Sequence, residues 1–253
     1  MGQWKIKLCG MRRGEDIDGA NALRPEYIGY IFAEKSRRRV DPETAARLTA
    51  RLDPGILPVG VFVNADPDLI VRMTEVGTIR AVQLHGAEDA AYIRDLKKRL
   101  AVPVIRAFGL KDEADVRAAG SCPADLVLLD TGEGGTGRVF NHGLLAGIRR
   151  PYILAGGLDP DNVAGILGSL PEAEAALCVA VDVSSGIETG GYKDMAKMAE
   201  FSYLNDGAAA PWISCFHTRT LSGRFRQNCL KGIRQNGHFY RFPQKNRKKR
   251  FRD

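Results

Sequence analysis

The sequence predicts an α/β chain of the (β/α)8 class, a TIM barrel over residues 1–202, followed by a basic, disordered C-terminal extension over 203–253. Three observations carry that prediction. Eight short apolar runs rich in β-formers alternate with amphipathic helical stretches as far as about residue 202. Most of these runs are nearly continuous in apolar residues, as strands covered on both faces are. Glycine-rich breaks follow the later runs, whereas a doubly wound open sheet, the nearest other architecture, carries G-x-G-x-x-G after its first strand. Eight such units in roughly 200 residues lie at the short end of barrel lengths.

The strands are expected at 6–9, 27–32, 57–63, 81–85, 104–108, 126–130, 152–155 and 179–183. Between the second and third, Asp41 and Pro42 open a helix over 42–48, with aspartate as N-cap and proline in the first turn. Between the fourth and fifth, residues 89–100 place Ala90, Ile93, Leu96 and Leu100 at helical intervals, giving one apolar face. Asp159-Pro160-Asp161-Asn162 opens another helix with acid at its positive end. A last helix is expected over 192–201.

Composition sets limits on function. Of 253 residues, 44% are hydrophobic, enough to bury a sizeable core. No apolar run approaches the ~18 residues of a membrane span, and MGQWKIKLCG lacks the layout of a secretory signal. A cytoplasmic protein without a membrane partner is expected. The five cysteines are scattered, odd in number and without CxxC spacing, so neither a disulfide framework nor a metal site is implied. Residues 203–253 hold 12 of the 37 Lys and Arg and 2 of the 30 Asp and Glu. The body is therefore mildly acidic and the extension strongly basic. Phe225, Phe239, Tyr240 and Phe242 lie among those basic residues, a pattern that can stack bases. Without a folded platform, a solvated segment with no nucleic-acid partner is the expectation.

Chemistry is signalled at strand ends. Cys9 closes the first strand, and Asp130 closes the sixth just before Gly132-Glu133-Gly134-Gly135-Thr136-Gly137. An ionisable residue ending a buried strand points into the barrel mouth, and a thiol with a carboxyl there can act as base and acid in proton transfer. Lys7 shares a strand face with Cys9 and would favour its thiolate. Gly156-Gly157 after strand seven and Ser184-Ser185-Gly186 after strand eight form the usual barrel phosphate site, because glycines let N–H groups approach the anion. Read separately, the same residues are a tight turn and a helix cap.

These segments, in order, resemble phosphoribosylanthranilate isomerase, the tryptophan-pathway enzyme. The matching stretches are Lys7-Leu8-Cys9-Gly10, Gly29-Tyr30-Ile31-Phe32 with Arg37-Arg38-Arg39, Val61-Phe62-Val63-Asn64 and Gln83-Leu84-His85-Gly86. Leu129-Asp130-Thr131, Ala155-Gly156-Gly157-Leu158 and Asp182-Val183-Ser184-Ser185-Gly186-Ile187-Glu188 continue the series. The resemblance implies a cofactor-free Amadori rearrangement of N-(5-phosphoribosyl)anthranilate to 1-(2-carboxyphenylamino)-1-deoxyribulose 5-phosphate. It gives Cys9 as general base at C2′ and Asp130 as general acid at the ring oxygen. Arg38 pairs with the anthranilate carboxylate, although which of Arg37, Arg38 and Arg39 faces inward stays open. Gly156, Gly157, Ser184, Ser185 and Gly186 hold the phosphate. Asp182 faces the substrate or serves as a structural carboxylate, and His85 is structural or contacts substrate. Asp125 is expected at the surface, and 132–137 as a lid with Glu133 on it. Arg37 stands where proline is frequent, and Asn141-His142 where Asp-Trp is common. The related histidine-pathway isomerisation normally places aspartate where Cys9 stands, which argues against it. Family members occur as monomers and homodimers.

Overall fold

The computed structural model describes residues 4–130 and 142–203. Eight parallel strands close a barrel in sequence order: β1 Lys5–Cys9, β2 Tyr27–Ile31, β3 Leu57–Phe62, β4 Ala81–Leu84, β5 Val104–Gly109, β6 Leu126–Asp130, β7 Tyr152–Ala155 and β8 Cys178–Val183. Every strand expected from the apolar runs is present, with ends shifted by a residue at most. Closure comes from β1 pairing with β8, where Lys7 lies opposite Asp182.

Alternation along each strand divides the side chains into two layers. Val59, Ala81, Ile105, Ala107, Leu128, Ile153, Ala155 and Ala180 fill the barrel interior. Their small average size suits the narrow lumen of eight strands. Leu8, Ile28, Tyr30, Phe62, Leu84, Leu129 and Val181 point outward and pack against the helices.

The helices are α1 Gly14–Leu23, α2 Pro42–Thr49, α3 Pro67–Glu75, α4 Ala90–Arg99, α5 Glu113–Ser121, α6 His142–Leu145, α7 Val163–Gly168, α8 Glu172–Leu177 and α9 Met195–Tyr203. Asp41, Asp66, Asp89 and Asp112 cap four of them, each accepting a backbone N–H of the first turn. Three sequence expectations need correction. Ala90 is exposed, and the buried face of α4 is Ile93 and Leu96 with Tyr92 beside them. The last helix begins at Met195, because Gly190 and Gly191 adopt φ of +60° and +79° and turn 188–193 into a hairpin of β9 Glu188–Thr189 and β10 Tyr192–Lys193. Asp194 then caps α9 through the Ala196 N–H. Two short helices, α7 and α8, fill the β7–β8 connection where one was expected. Asp159 caps the turn that leads into α7 by accepting from Asp161 and Asn162.

The 132–137 segment, Glu133, and residues 204–253 lie outside the described residues. Among the described residues no helix is long and apolar enough to cross a membrane.

Candidate active site

The first cluster forms where the barrel closes. Lys7 and Cys9 lie two residues apart on β1 and so share its inner face. Lys7 is fully buried, and its Nζ donates to Asp182 Oδ1 at 2.9 Å. Burial pulls the Lys7 ammonium down, but Asp182 and Cys9 outweigh it and leave the group above the usual lysine value. For Cys9 the balance runs the other way. Burial pushes the thiol up, Lys7 and Lys193 pull it down, Asp182 adds to the rise, and the net direction is upward. The lysine expected beside the cysteine is thus in place, and its pull on the thiol is outweighed by burial.

The loop after β2 supplies Arg38. Arg37 and Arg39 are exposed, and Arg38 is half-buried at the barrel mouth. Its Nε and Nη2 grip Glu188 Oε1 and Oε2, each at 2.7 Å. Gly10, in the left-handed region at φ +84°, lets Arg38 cross directly over the end of β1, since a Cβ there would lie 2.8 Å from Arg38 Cδ. Of the three arginines, Arg38 is the one that faces the site.

On the opposite wall, His85 follows β4 and Asp130 ends β6. His85 Nε2 lies 3.8 Å from Asp130 Oδ2. Gln83, two residues before His85, brings its Nε2 to 3.2 Å from His85 Nδ1. Behind them sits Glu88, a residue the motifs did not single out. It is buried, and its two oxygens take the backbone N–H groups of Asn64 at 2.7 Å and Gly86 at 2.8 Å. That carboxylate ties the loops after β3 and β4 together. Asp125 is half-exposed at the start of β6, paired with Lys97 and accepting the Val104 N–H at 2.8 Å, a surface role as expected.

The loops after β7 and β8 meet closely. Gly156 and Gly157 have φ of +97° and +63°, and a Cβ on Gly186 would lie only 2.0 Å from the Leu158 carbonyl oxygen. Ser184 Oγ donates to the Cys9 carbonyl at 3.2 Å, linking this glycine-lined cradle to β1. Ser185–Ile187 forms a single 3-10 turn. Among the described residues no group of three or more His, Cys, Asp or Glu is arranged to hold a metal ion.

Cys9 and Asp130 therefore end strands of one barrel mouth, with Arg38 held by Glu188 and the glycine-lined loops after β7 and β8 around it. Comparison with known proteins identifies the family. The family model described as N-(5'-phosphoribosyl)anthranilate (PRA) isomerase matches residues 6–203. N-(5'-phosphoribosyl)anthranilate isomerase of Endomicrobium trichonymphae is 42% identical over 200 residues, covering 78% of this chain and 95% of the relative. The Clostridium acetobutylicum protein of the same name is 41% identical, again covering 78% and 95%. The solved Thermotoga maritima phosphoribosyl anthranilate isomerase superposes with a TM-score of 0.70 at 31% identity, covering 81% of this chain and all of that one. A solved phosphoribosyl anthranilate isomerase in complex with reduced 1-(o-carboxyphenylamino)-1-deoxyribulose 5-phosphate gives 0.69 at 31% identity with the same coverage. With that match running from β1 to the end of α9, the chain belongs to the N-(5'-phosphoribosyl)anthranilate isomerase family.

Proposed function

We propose that this isomerase converts N-(5-phosphoribosyl)anthranilate to 1-(2-carboxyphenylamino)-1-deoxyribulose 5-phosphate, with Cys9 as general base and Asp130 as general acid. The observation that carries the reading is the placement of thiol and carboxyl at the ends of β1 and β6, on the inner face of one barrel. Asp130 gives its proton to the ring oxygen as the furanose opens, leaving an iminium between C1′ and the aryl nitrogen. Cys9 then takes the proton from C2′, and the electron pair of that C–H bond neutralises the iminium to an enolamine. Tautomerisation places a proton on C1′ and a carbonyl at C2′, so no external oxidant or reductant enters. The step needs a thiolate, and Lys7 and Lys193 are the cations that favour it.

Arg38 receives the anthranilate carboxylate, for which a planar fork suits. Gly156, Gly157, Ser184, Ser185 and Gly186 hold the phosphate. Asp182 anchors Lys7 and faces the substrate hydroxyls, and His85 contacts substrate beside Asp130. The activity belongs to tryptophan biosynthesis in the cytoplasm and resides in residues 1–202, with 203–253 dispensable and no nucleic-acid partner.

The test follows the fluorescence loss of freshly prepared N-(5-phosphoribosyl)anthranilate. Intact protein should consume it rapidly, and Cys9→Ala and Asp130→Asn should each lower the rate by about a hundredfold or more. Full activity in either variant would remove that residue from its role. A chain ending at Ser202 should match intact protein.

A further inference from the structure

The grip on Arg38 comes from an unassigned pair of charges. Glu188 and Lys193 are cross-strand partners in the β9–β10 hairpin. The side chain of Glu188 is largely enclosed and takes Arg38 in a side-on, two-point contact. Lys193, also buried, donates to the same Glu188 Oε1 at 2.8 Å and to the Ser184 carbonyl at 2.8 Å. The hairpin itself is clamped from the β1–α1 loop. Arg13 Nη2 reaches the Lys193 carbonyl at 3.1 Å, and the Arg12 and Arg13 guanidinium carbons lie 4.5 and 4.6 Å from the centre of the Tyr192 ring.

Two physical consequences follow. The side-on contact uses two of the five N–H donors of the guanidinium and leaves the edge formed by Nη1 and the outer N–H of Nη2 for a second acceptor. Two cations share one carboxylate, so the cluster keeps a net positive charge that a ligand carboxylate can meet. With Arg38 and Glu188 alone the charge would cancel. A free arginine would also lose side-chain entropy on binding, whereas one held at two points has already lost it.

We propose that Glu188 and Lys193 are positioning residues for Arg38, Glu188 fixing its guanidinium plane and Lys193 keeping the cluster's net charge positive, so that the open edge of Arg38 meets the aromatic carboxylate of the substrate. This rests on the reading of Arg38 as the carboxylate contact and makes the hairpin after β8 a determinant of selectivity for a carboxylated aryl group.

The experiment measures Kd on the full chain for two probes. They are reduced 1-(o-carboxyphenylamino)-1-deoxyribulose 5-phosphate and its anilino counterpart without the ring carboxylate. The quantity read is the ratio of the two affinities. Glu188→Gln and Lys193→Met should each cut that ratio by about tenfold, through weaker binding of the carboxylated probe. Affinity for the anilino probe should hold within about threefold, which also reports that the site is folded. Lys193→Arg, which keeps the charge, should retain the ratio. Arg38→Ala separates the two layers of the argument. If it leaves the ratio intact, the reading of Arg38 is wrong. If it abolishes the ratio while Glu188→Gln leaves it unchanged or raises it, Glu188 competes with the ligand instead of presenting Arg38, and the inference fails.

Discussion

Lys7 and Asp182 meet as register partners across the β1–β8 seam, 2.9 Å apart, with the lysine fully enclosed and the aspartate one-tenth exposed. An ion pair therefore occupies the barrel interior where the chain closes on itself, beneath Cys9. Each charge compensates the burial of the other, and neither is tolerated alone. Lys7→Met should destabilise the protein by about 3–5 kcal/mol in urea unfolding, while Lys7→Met with Asp182→Leu should recover most of that loss. A double variant no better than the single would mean the pair contributes more than mutual compensation.

Cys9 should alkylate as a buried thiol. Burial holds it protonated above the ordinary thiol range despite Lys7 and Lys193, so its reaction with iodoacetamide should rise with pH to a midpoint above the ~8.5 of a free cysteine. Removing the Lys7 cation should move that midpoint higher still. Peptide-resolved mass spectrometry gives the rate at Cys9 alone, and a midpoint below 8 would contradict the balance described.

Cys178 links stability to alkaline pH. Burial raises its thiol to about 12, so in the folded state it keeps its proton where an unfolded cysteine has lost it. Above ~8.5 the folded state then binds more protons, and stability should fall with rising pH by up to about 1.4 kcal/mol per unit from this group. The contribution is complete below ~8.5. Unfolding curves of Cys178→Val should show a shallower alkaline slope than the parent.

Glu88 tests the scaffold behind His85. Both of its oxygens accept backbone N–H groups, from Asn64 and Gly86, and Arg106 lies 3.8 Å away. Glu88→Ala strands those donors and should cost about 2–3 kcal/mol by thermal unfolding. Glu88→Gln should also cost stability, because one amide end presents donors to a donor. An unchanged melting temperature for both would show that the loops after β3 and β4 close without this carboxylate.

Gly186 tests the phosphate role proposed for the loops after β7 and β8. A Cβ at this position meets the Leu158 carbonyl at 2.0 Å, and backbone cannot yield as a side-chain tip does. Gly186→Ala should push the loops after β7 and β8 apart, raising KM about tenfold or more while kcat falls less. Inhibition by inorganic phosphate, read on the same preparation, should weaken in parallel.

The features legible in the sequence were local ones. Continuous apolar runs identify buried strands without knowledge of their neighbours, and period-two alternation places Cys9 with Lys7, and Asp130 with Leu128, on one face. Strand order then follows from the (β/α)8 repeat, which fixes which loops share a mouth. Gly190 and Gly191 mark the turn before α9, but the helix expected from residue 192 took in the second strand of the hairpin, Tyr192–Lys193. What the tertiary structure alone decided are encounters between distant residues. Lys7 and Asp182 are 175 positions apart, and Arg38 and Glu188 150 apart. Choosing Arg38 over Arg37 and Arg39 required knowing where Glu188 lies, and the role of Glu88 required seeing two loop backbones converge. Hydrophobic periodicity is written along the chain and can be read there. A charged side chain is satisfied by whichever partner closure brings within about 3 Å, and only the folded barrel sets that.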